Sequence, residues 1–219
     1  MITVLLDKAE FEYDIHSLVK AFYPKEEVYV STKDKEKKEE PVHYHMDVQF
    51  APEEIIFSWK RVEASEDNAN QNGITKCVAV DYTNRKETKN SLKRTLYRLL
   101  SEYTGVELPW GNLTGIRPTK IPMALLEEGK SEEEIARYMK ETYFTSDEKI
   151  KLSIEIAERE LELLHKLDYE EGYSLYIGIP FCPTTCLYCS FTSYSMSAWK
   201  NRMDDYLSAL EKELDYTAV

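Results

Sequence analysis

Three of the four cysteines in this 219-residue chain fall in one short stretch, Cys182-Pro-Thr-Thr-Cys186-Leu-Tyr-Cys189. The spacing C-x3-C-x2-C puts three soft, anionic sulfur donors on one loop, and such thiolates ligate iron–sulfur clusters. Three thiolates can hold three irons of a cubane 4Fe-4S cluster and leave the fourth iron open. An open iron can chelate the amino and carboxylate groups of an amino-acid-like ligand. Reducing the cluster can then pass an electron into a sulfonium held against it. A structural zinc site asks for four ligands, commonly in paired C-x2-C knuckles, and ferredoxin-type clusters ask for four cysteines. No fourth Cys or His lies near the loop; the nearest preceding histidine is His165, on the far side of a strand-like segment. Two disulfides would need a secretory setting.

The elements around the loop read as strand, loop, helix. SLYIGIP is a continuous apolar run of the kind buried in parallel sheets, and Ser197 to Tyr216 is helical, with Met203, Leu207, Leu210 and Leu214 on its inner face. A loop that follows a strand and precedes a helix is where α/β folds place ligands. One such unit cannot cover a parallel strand on both sides, and a complete (β/α) barrel needs roughly 200 residues. The expectation is a barrel begun at residue 171 and truncated.

Upstream, residues 1–105 read as an α+β module. Its strand candidates are ITVLLD, VYVST, HYHMDVQF, EEIIFSWKRVEA and ITKCVAVDY, with a turn at Ala51-Pro52. A short helix spans Ile15 to Phe22. A longer one runs from Lys89 to Tyr103, with Leu92, Leu96, Leu99 and Tyr103 on one face and Gly105 as its stop. The order predicts a mostly antiparallel sheet with helices on one side. KDKEKKEE (33–40) and SEDNANQNG (65–73) read as polar loops, and Cys77 as a buried small hydrophobe. Residues 106–170 read as a helical connector. LPWGNLTGIRPTKIP leads to a short helix closed by Gly129. Capping boxes at Ser131/Glu134 and Thr145/Glu148 open two more, the last carrying Ile150, Ile154, Ala157, Leu161 and Leu164 to an end near Asp168.

The segment YIGIPFCPTTCLYCSFTSY resembles the cluster loop of the radical S-adenosylmethionine superfamily. Its YIGIPFC lead-in resembles the oxygen-independent coproporphyrinogen-III oxidase family, and LTGIRPTKIP resembles the HemZ-type branch, in its N-terminal part. The resemblance implies a 4Fe-4S cluster held by Cys182, Cys186 and Cys189, with S-adenosyl-L-methionine bound to it. It also implies that Tyr176 lies against S-adenosylmethionine and that Tyr188 sits near its adenosyl group. The implied reaction decarboxylates two propionates of coproporphyrinogen III to the vinyls of protoporphyrinogen IX. A 5′-deoxyadenosyl radical takes a hydrogen from the propionate β-carbon, and CO2 and an electron leave. The implied partners are a porphyrinogen substrate and a flavodoxin- or ferredoxin-like electron donor. No residue of the chain is singled out as catalytic. One position departs from the oxidases: Phe191 stands where they carry a fourth cysteine, as it does in the HemW-type haem chaperones. Chaperone action, or radical chemistry on another substrate, are the alternatives. The superfamily's glycine-rich strand is expected beyond Val219, so the chain alone is not expected to turn over.

The net charge of −12 opposes general binding to nucleic acid or acidic membranes. No apolar run approaches the ~20 residues of a membrane-spanning helix, and MITVLLDKAEFEYD lacks a basic leader. The reading is cytoplasmic. Three smaller features remain. His43 and His45 are i, i+2 on one strand face, without a third ligand to make a metal site. Arg85, Lys86, Lys89, Lys93, Arg94 and Arg98 form a basic helix face expected to be solvated. Arg117 and Lys120, in the connector GIRPTK, are expected to serve docking between domains, with an anion as the other possible partner.

Overall fold

A computed structural model describes residues 1–32, 42–62, 73–167 and 171–218. It divides into two units, Met1–Leu167 and Asp168–Val219. The polar loops expected at 33–40 and 65–73, and the helix end near Asp168, lie largely outside the described residues.

The first unit is built on a five-stranded sheet of β1 (Ile2–Leu6), β2 (Val28–Thr32), β3 (Tyr44–Phe50), β4 (Glu54–Arg61) and β5 (Ile74–Ala79), in the order β2-β1-β3-β4-β5. β1 is parallel to both β2 and β3, and only the β3–β4 and β4–β5 pairs are antiparallel. The sheet is therefore mixed, not mostly antiparallel. Helix α1 (Glu12–Phe22) makes the connection from β1 to β2, and a helical crossover returns the chain in the same direction. Alternate residues of the central strands, Ile2, Val4, Leu6, Met46, Val48, Ile55, Phe57 and Trp59, point to one face and are buried there. On the same core pack Ile15, Leu18, Val19 and Phe22 of α1, and Leu92, Leu96, Leu99 and Leu100 of α2 (Arg85–Thr104). Cys77 points the other way and is exposed, because it falls on the alternate face of β5, which no helix covers.

Helix α2 begins four residues before Lys89. Asn84 caps it, accepting from the Glu87 N–H at 3.1 Å, and Gly105 closes it at φ 69°. Helices α3 (Lys120–Glu127), α4 (Glu132–Tyr143) and α5 (Asp147–Leu164) share a smaller core of Ile135, Met139, Ile150 and Ile154. The capping box of Ser131 with Glu134 is present in both directions. The second box is displaced by one residue: Ser146, not Thr145, caps α5 and accepts from the Lys149 N–H. Phe144 takes the left-handed C-cap of α4 at φ 58°, and Thr145 is turned into the interior, which leaves Ser146 to open the next helix.

The second unit is sparse. β6 (Phe181–Cys182) pairs in parallel with β7 (Tyr194–Ser195). A four-residue helix α6 (Met196–Trp199) passes through a 3-10 turn into α7 (Met203–Thr217). The strand expected over SLYIGIP is absent: residues 174–180 carry no strand, and the ladder begins only at Phe181. A strand apolar on both faces needs a neighbour on each side and cover on each face. Among the described residues of this unit no strand pairs with 174–180, and β7 pairs with Phe181 and Cys182. On α7 the half-buried stripe is Met203, Tyr206, Leu210 and Leu214, with Tyr206 in place of the expected Leu207, which is exposed. The Tyr206 ring packs edge-on against Phe181 at 5.2 Å, and its hydroxyl donates to the Gly178 carbonyl at 2.6 Å.

Candidate functional site

The cysteine loop springs from β6. Cys182 lies opposite Ser195 in the β6–β7 register, so the ladder and the Tyr194 N–H to Pro180 carbonyl bond, 2.7 Å, fix the base of the loop. Beneath it Phe181, Tyr194, Trp199 and Tyr206 form a ring cluster, with centroid separations between 5.2 and 6.3 Å. Farther along, the Cys189 N–H donates to the Cys186 carbonyl at 3.0 Å, folding the last two cysteines into one turn. All three thiols are free of disulfides; Cys182 and Cys189 are half-buried and Cys186 is exposed.

Donor chemistry fits a three-cysteine cluster: three thiols, unbridged and reachable from solvent, on a backbone anchored at its start. Among the described residues, however, no three His, Cys, Asp or Glu side chains are gathered closely enough to hold a metal ion. Tyr176 and Tyr188 are 82% and 90% exposed, so neither ring is packed down beside the loop. Phe191 is exposed as well. Sequence reasoning missed Tyr206, Tyr194 and Trp199, the residues that hold the loop's base. Tyr206 was visible as the i+3 partner of Met203 on the helical stripe, whereas β7 is too short for any periodicity to show.

Over 144 residues, 64% of its length, the chain is 39% identical to the oxygen-independent coproporphyrinogen-III oxidase-like protein HemZ of Bacillus subtilis (strain 168). Over that stretch the chain is similar to this HemZ. The match covers 29% of that HemZ, so the chain spans less than a third of the relative's length. No protein-family model matches it. No helix among the described residues is long and apolar enough to cross a membrane.

The other candidate residues are held locally. His43 Nδ1 lies 3.1 Å from Glu26 Oε2, and His45 Nε2 lies 3.0 Å from Asp47 Oδ2, so each imidazole has its own carboxylate. The hydrogen bonds from the Met1 ammonium and His43 hold the Glu26 carboxyl below its ordinary range. Of the six basic residues of α2, Arg85, Lys86, Lys89 and Arg98 are exposed, as expected of a solvated face, whereas Arg94 is half-buried and Lys93 buried. Lys89 pairs with Asp14 at 2.7 Å and Arg94 with Glu87 at 2.6 Å. Arg85 and Arg98 lie over the rings of Phe11 and Phe144, and Lys93 is buried, donating to Thr114 Oγ1 at 3.1 Å. Lys86 is exposed and makes none of these contacts. In the connector, Arg117 faces Glu160 of α5 at 3.5 Å, and Lys120 opens α3. That contact ties GIRPTK to a helix of its own unit.

Proposed function

We propose that this chain carries the cofactor-binding loop of a radical S-adenosylmethionine enzyme of haem biosynthesis. Its substrate on this reading is coproporphyrinogen III, decarboxylated to protoporphyrinogen IX without oxygen. The observation that carries the reading is the C-x3-C-x2-C loop of unbridged thiols in a chain homologous to HemZ. Cys182, Cys186 and Cys189 would ligate three irons of a 4Fe-4S cluster, leaving the fourth for the amino and carboxylate groups of S-adenosylmethionine. When bound, that cluster supplies the electron for cleaving the sulfonium. Cys182 starts from a fixed strand, and the Cys186–Cys189 turn brings in the other two thiolates. Among the described residues the three thiols are not gathered, so holding the cluster would draw Cys186 and Cys189 toward Cys182. Tyr176 and Tyr188 present exposed rings that a bound nucleoside would cover, excluding water from the reacting sulfonium. The electron comes from a flavodoxin- or ferredoxin-like donor.

Anaerobic reconstitution tests this directly. The chain should take up a 4Fe-4S cluster whose electron paramagnetic resonance signal changes on adding S-adenosylmethionine, and Cys182→Ser, C186S or C189S should each abolish uptake. Iron uptake indifferent to all three substitutions would remove the cluster assignment. The intact protein should then release CO2 from coproporphyrinogen III; S-adenosylmethionine cleavage without decarboxylation would remove the oxidase assignment.

Phe191 favours a second reading, a haem chaperone whose cluster serves assembly, because the oxidases carry cysteine at that position. It predicts stoichiometric haem retention by the intact protein.

A further inference from the structure

Strands β2, β1 and β3 lie side by side and run parallel, so their starts meet at one end of the sheet. Just before those starts stand Glu26, Met1 and His43, and their polar groups converge there. We propose that the Met1 amino group, Glu26 Oε2 and His43 Nδ1 form a binding site for one Zn2+ ion. The inference is independent of the cysteine loop and of the reaction proposed above.

All three donor atoms lie within reach of a single ion. Met1 N is 2.8 Å from Glu26 Oε2 and 3.2 Å from His43 Nδ1, and Nδ1 is 3.1 Å from Oε2. Zinc bonds nitrogen and oxygen at about 2.0–2.1 Å, which sets the corners of its tetrahedron roughly 3.3 Å apart. The triangle therefore has to open by no more than about half an ångström. Only two of the donors are side chains, so the site lies outside any cluster of three His, Cys, Asp or Glu. The i, i+2 spacing suggests His45 as the companion of His43, but His45 bonds Asp47, and His43 meets groups that precede β1 and β2.

Hydrogen bonding alone leaves this triangle in conflict. The ammonium can donate to both neighbours. With a bare Nδ1 the imidazole accepts from the ammonium, but then faces the carboxylate lone pair to lone pair. With a protonated Nδ1 it donates to Glu26, but then faces the ammonium proton to proton. One contact is repulsive either way. A cation at the centre, with the amine giving up its proton to solvent, engages a lone pair from each of the three. Two nitrogens and one carboxylate oxygen suit a borderline ion, whereas Mg2+ and Ca2+ take oxygen ligands. Water completes the fourth position.

The backbone holds the donors in place. The Ile2 N–H donates to the Glu27 carbonyl at 2.7 Å, and the His43 N–H to the Met1 carbonyl at 2.8 Å. Lys20 Nζ donates to the Glu26 carbonyl at 2.7 Å. Met1 is buried and Glu26 half-buried, while His43 is exposed and opens the site to solvent.

Isothermal calorimetry with Zn2+ tests the site on the chain with its Met1 amine free and its four thiols capped by iodoacetamide, so that sulfur takes no part. One ion per chain is expected. Changing an outer-shell partner alone weakens metal sites roughly 10–100-fold, so losing a ligand in His43→Ala or Glu26→Gln should weaken binding by at least about tenfold. A glycine added ahead of Met1 turns the amine into an amide and should abolish uptake. His45→Ala should bind as the parent does. The His43 Nδ1 resonance in 15N spectra should move as the ion saturates the site, which a purely structural ion pair would not produce. The proposal is overturned if stoichiometric uptake is absent, if either H43A or the glycine-extended chain binds as the parent does, or if H45A weakens binding as much as H43A. His43 is exposed, and an unchanged far-ultraviolet circular dichroism spectrum would show that H43A keeps its fold.

Discussion

In the first unit the side chains of Ile2, Val4, Leu6, Phe57 and Leu96 are fully enclosed, while in the second no described residue is buried and Leu187, Tyr188 and Tyr216 stand in solvent. The same chain thus holds one region shaped by burial of apolar surface and one shaped by a two-residue ladder, four rings and a few hydrogen bonds. Burial contributes roughly 25 cal/mol per Å² of apolar surface, so the first region carries most of the folding free energy. Three of the four thiols, Cys182, Cys186 and Cys189, sit in the other. Segments that must reorganise around a ligand come from the low-stability end of a structure. A group that draws three thiolates together adds its binding free energy to that region's order.

The largest expected effect tests this contrast directly. Phe57→Ala opens a cavity in the sheet core and should cost about 3–5 kcal/mol. Leu187→Ala removes a side chain that touches nothing and should stay within about 0.5 kcal/mol. Urea denaturation followed by circular dichroism measures both. Comparable losses would mean that the second region has an interior after all.

How far the sequence revealed each region follows from the same difference. Alternating burial in ITVLL and EIIFSWKR, and the leucine stripe of α2, are strong periodic signals, and the corresponding elements form. Strand direction was not legible, because nothing in a single strand's pattern says whether its neighbour runs with it or against it. Cys77 was misplaced for a related reason: an edge strand with one open face alternates just as a buried one does. Thr145 and Ser146 offered equivalent capping chemistry one residue apart, and only the left-handed turn at Phe144 decided between them. In the second unit the apolar run SLYIGIP carries the composition of a buried strand, but composition cannot supply the neighbours a strand needs. The thiol spacing is plain in the sequence, but spacing along a loop does not fix how closely the three side chains approach, and among the described residues they are not gathered.

A glycine pair gives the next test, somewhat smaller. Gly111 sits at φ 56°, and a Cβ there would fall 1.9 Å from the Tyr143 carbonyl oxygen and 2.6 Å from the Phe144 carbonyl carbon. That close approach lets the Asn112 N–H reach the Tyr143 carbonyl at 2.8 Å, clamping the loop onto the end of α4. Gly111→Ala must move backbone and adopt a disfavoured φ, for a cost of about 3 kcal/mol. In the second unit, Gly178→Ala would meet only the Tyr176 ring edge at 3.3 Å, which a rotamer change relieves. Its thermal midpoint should move by no more than about 1 °C.

The smallest effect comes from a polar group inside the first region. Burial pushes the Lys93 ammonium below its ordinary value of 10.5; Asp14 opposes the shift and Lys89 adds to it. A lysine depressed in this way weakens the folded state while both states are charged. Between the lowered value and 10.5 the unfolded chain binds more protons, so stability rises with pH across that window. Lys93→Met keeps the aliphatic stem, removes the buried charge, and gives up the single bond to Thr114 Oγ1. Near pH 7 it should stabilise the chain by about 1 kcal/mol, the charge-burial cost less one hydrogen bond. That advantage should shrink as pH approaches 10.5, where the parent lysine can fold uncharged. A destabilised K93M at pH 7 would instead make the Thr114 bond the stronger term. Lys93 would then be a clasp between α2 and the loop that leads to α3, and the first region would depend on a polar contact where burial alone had seemed enough.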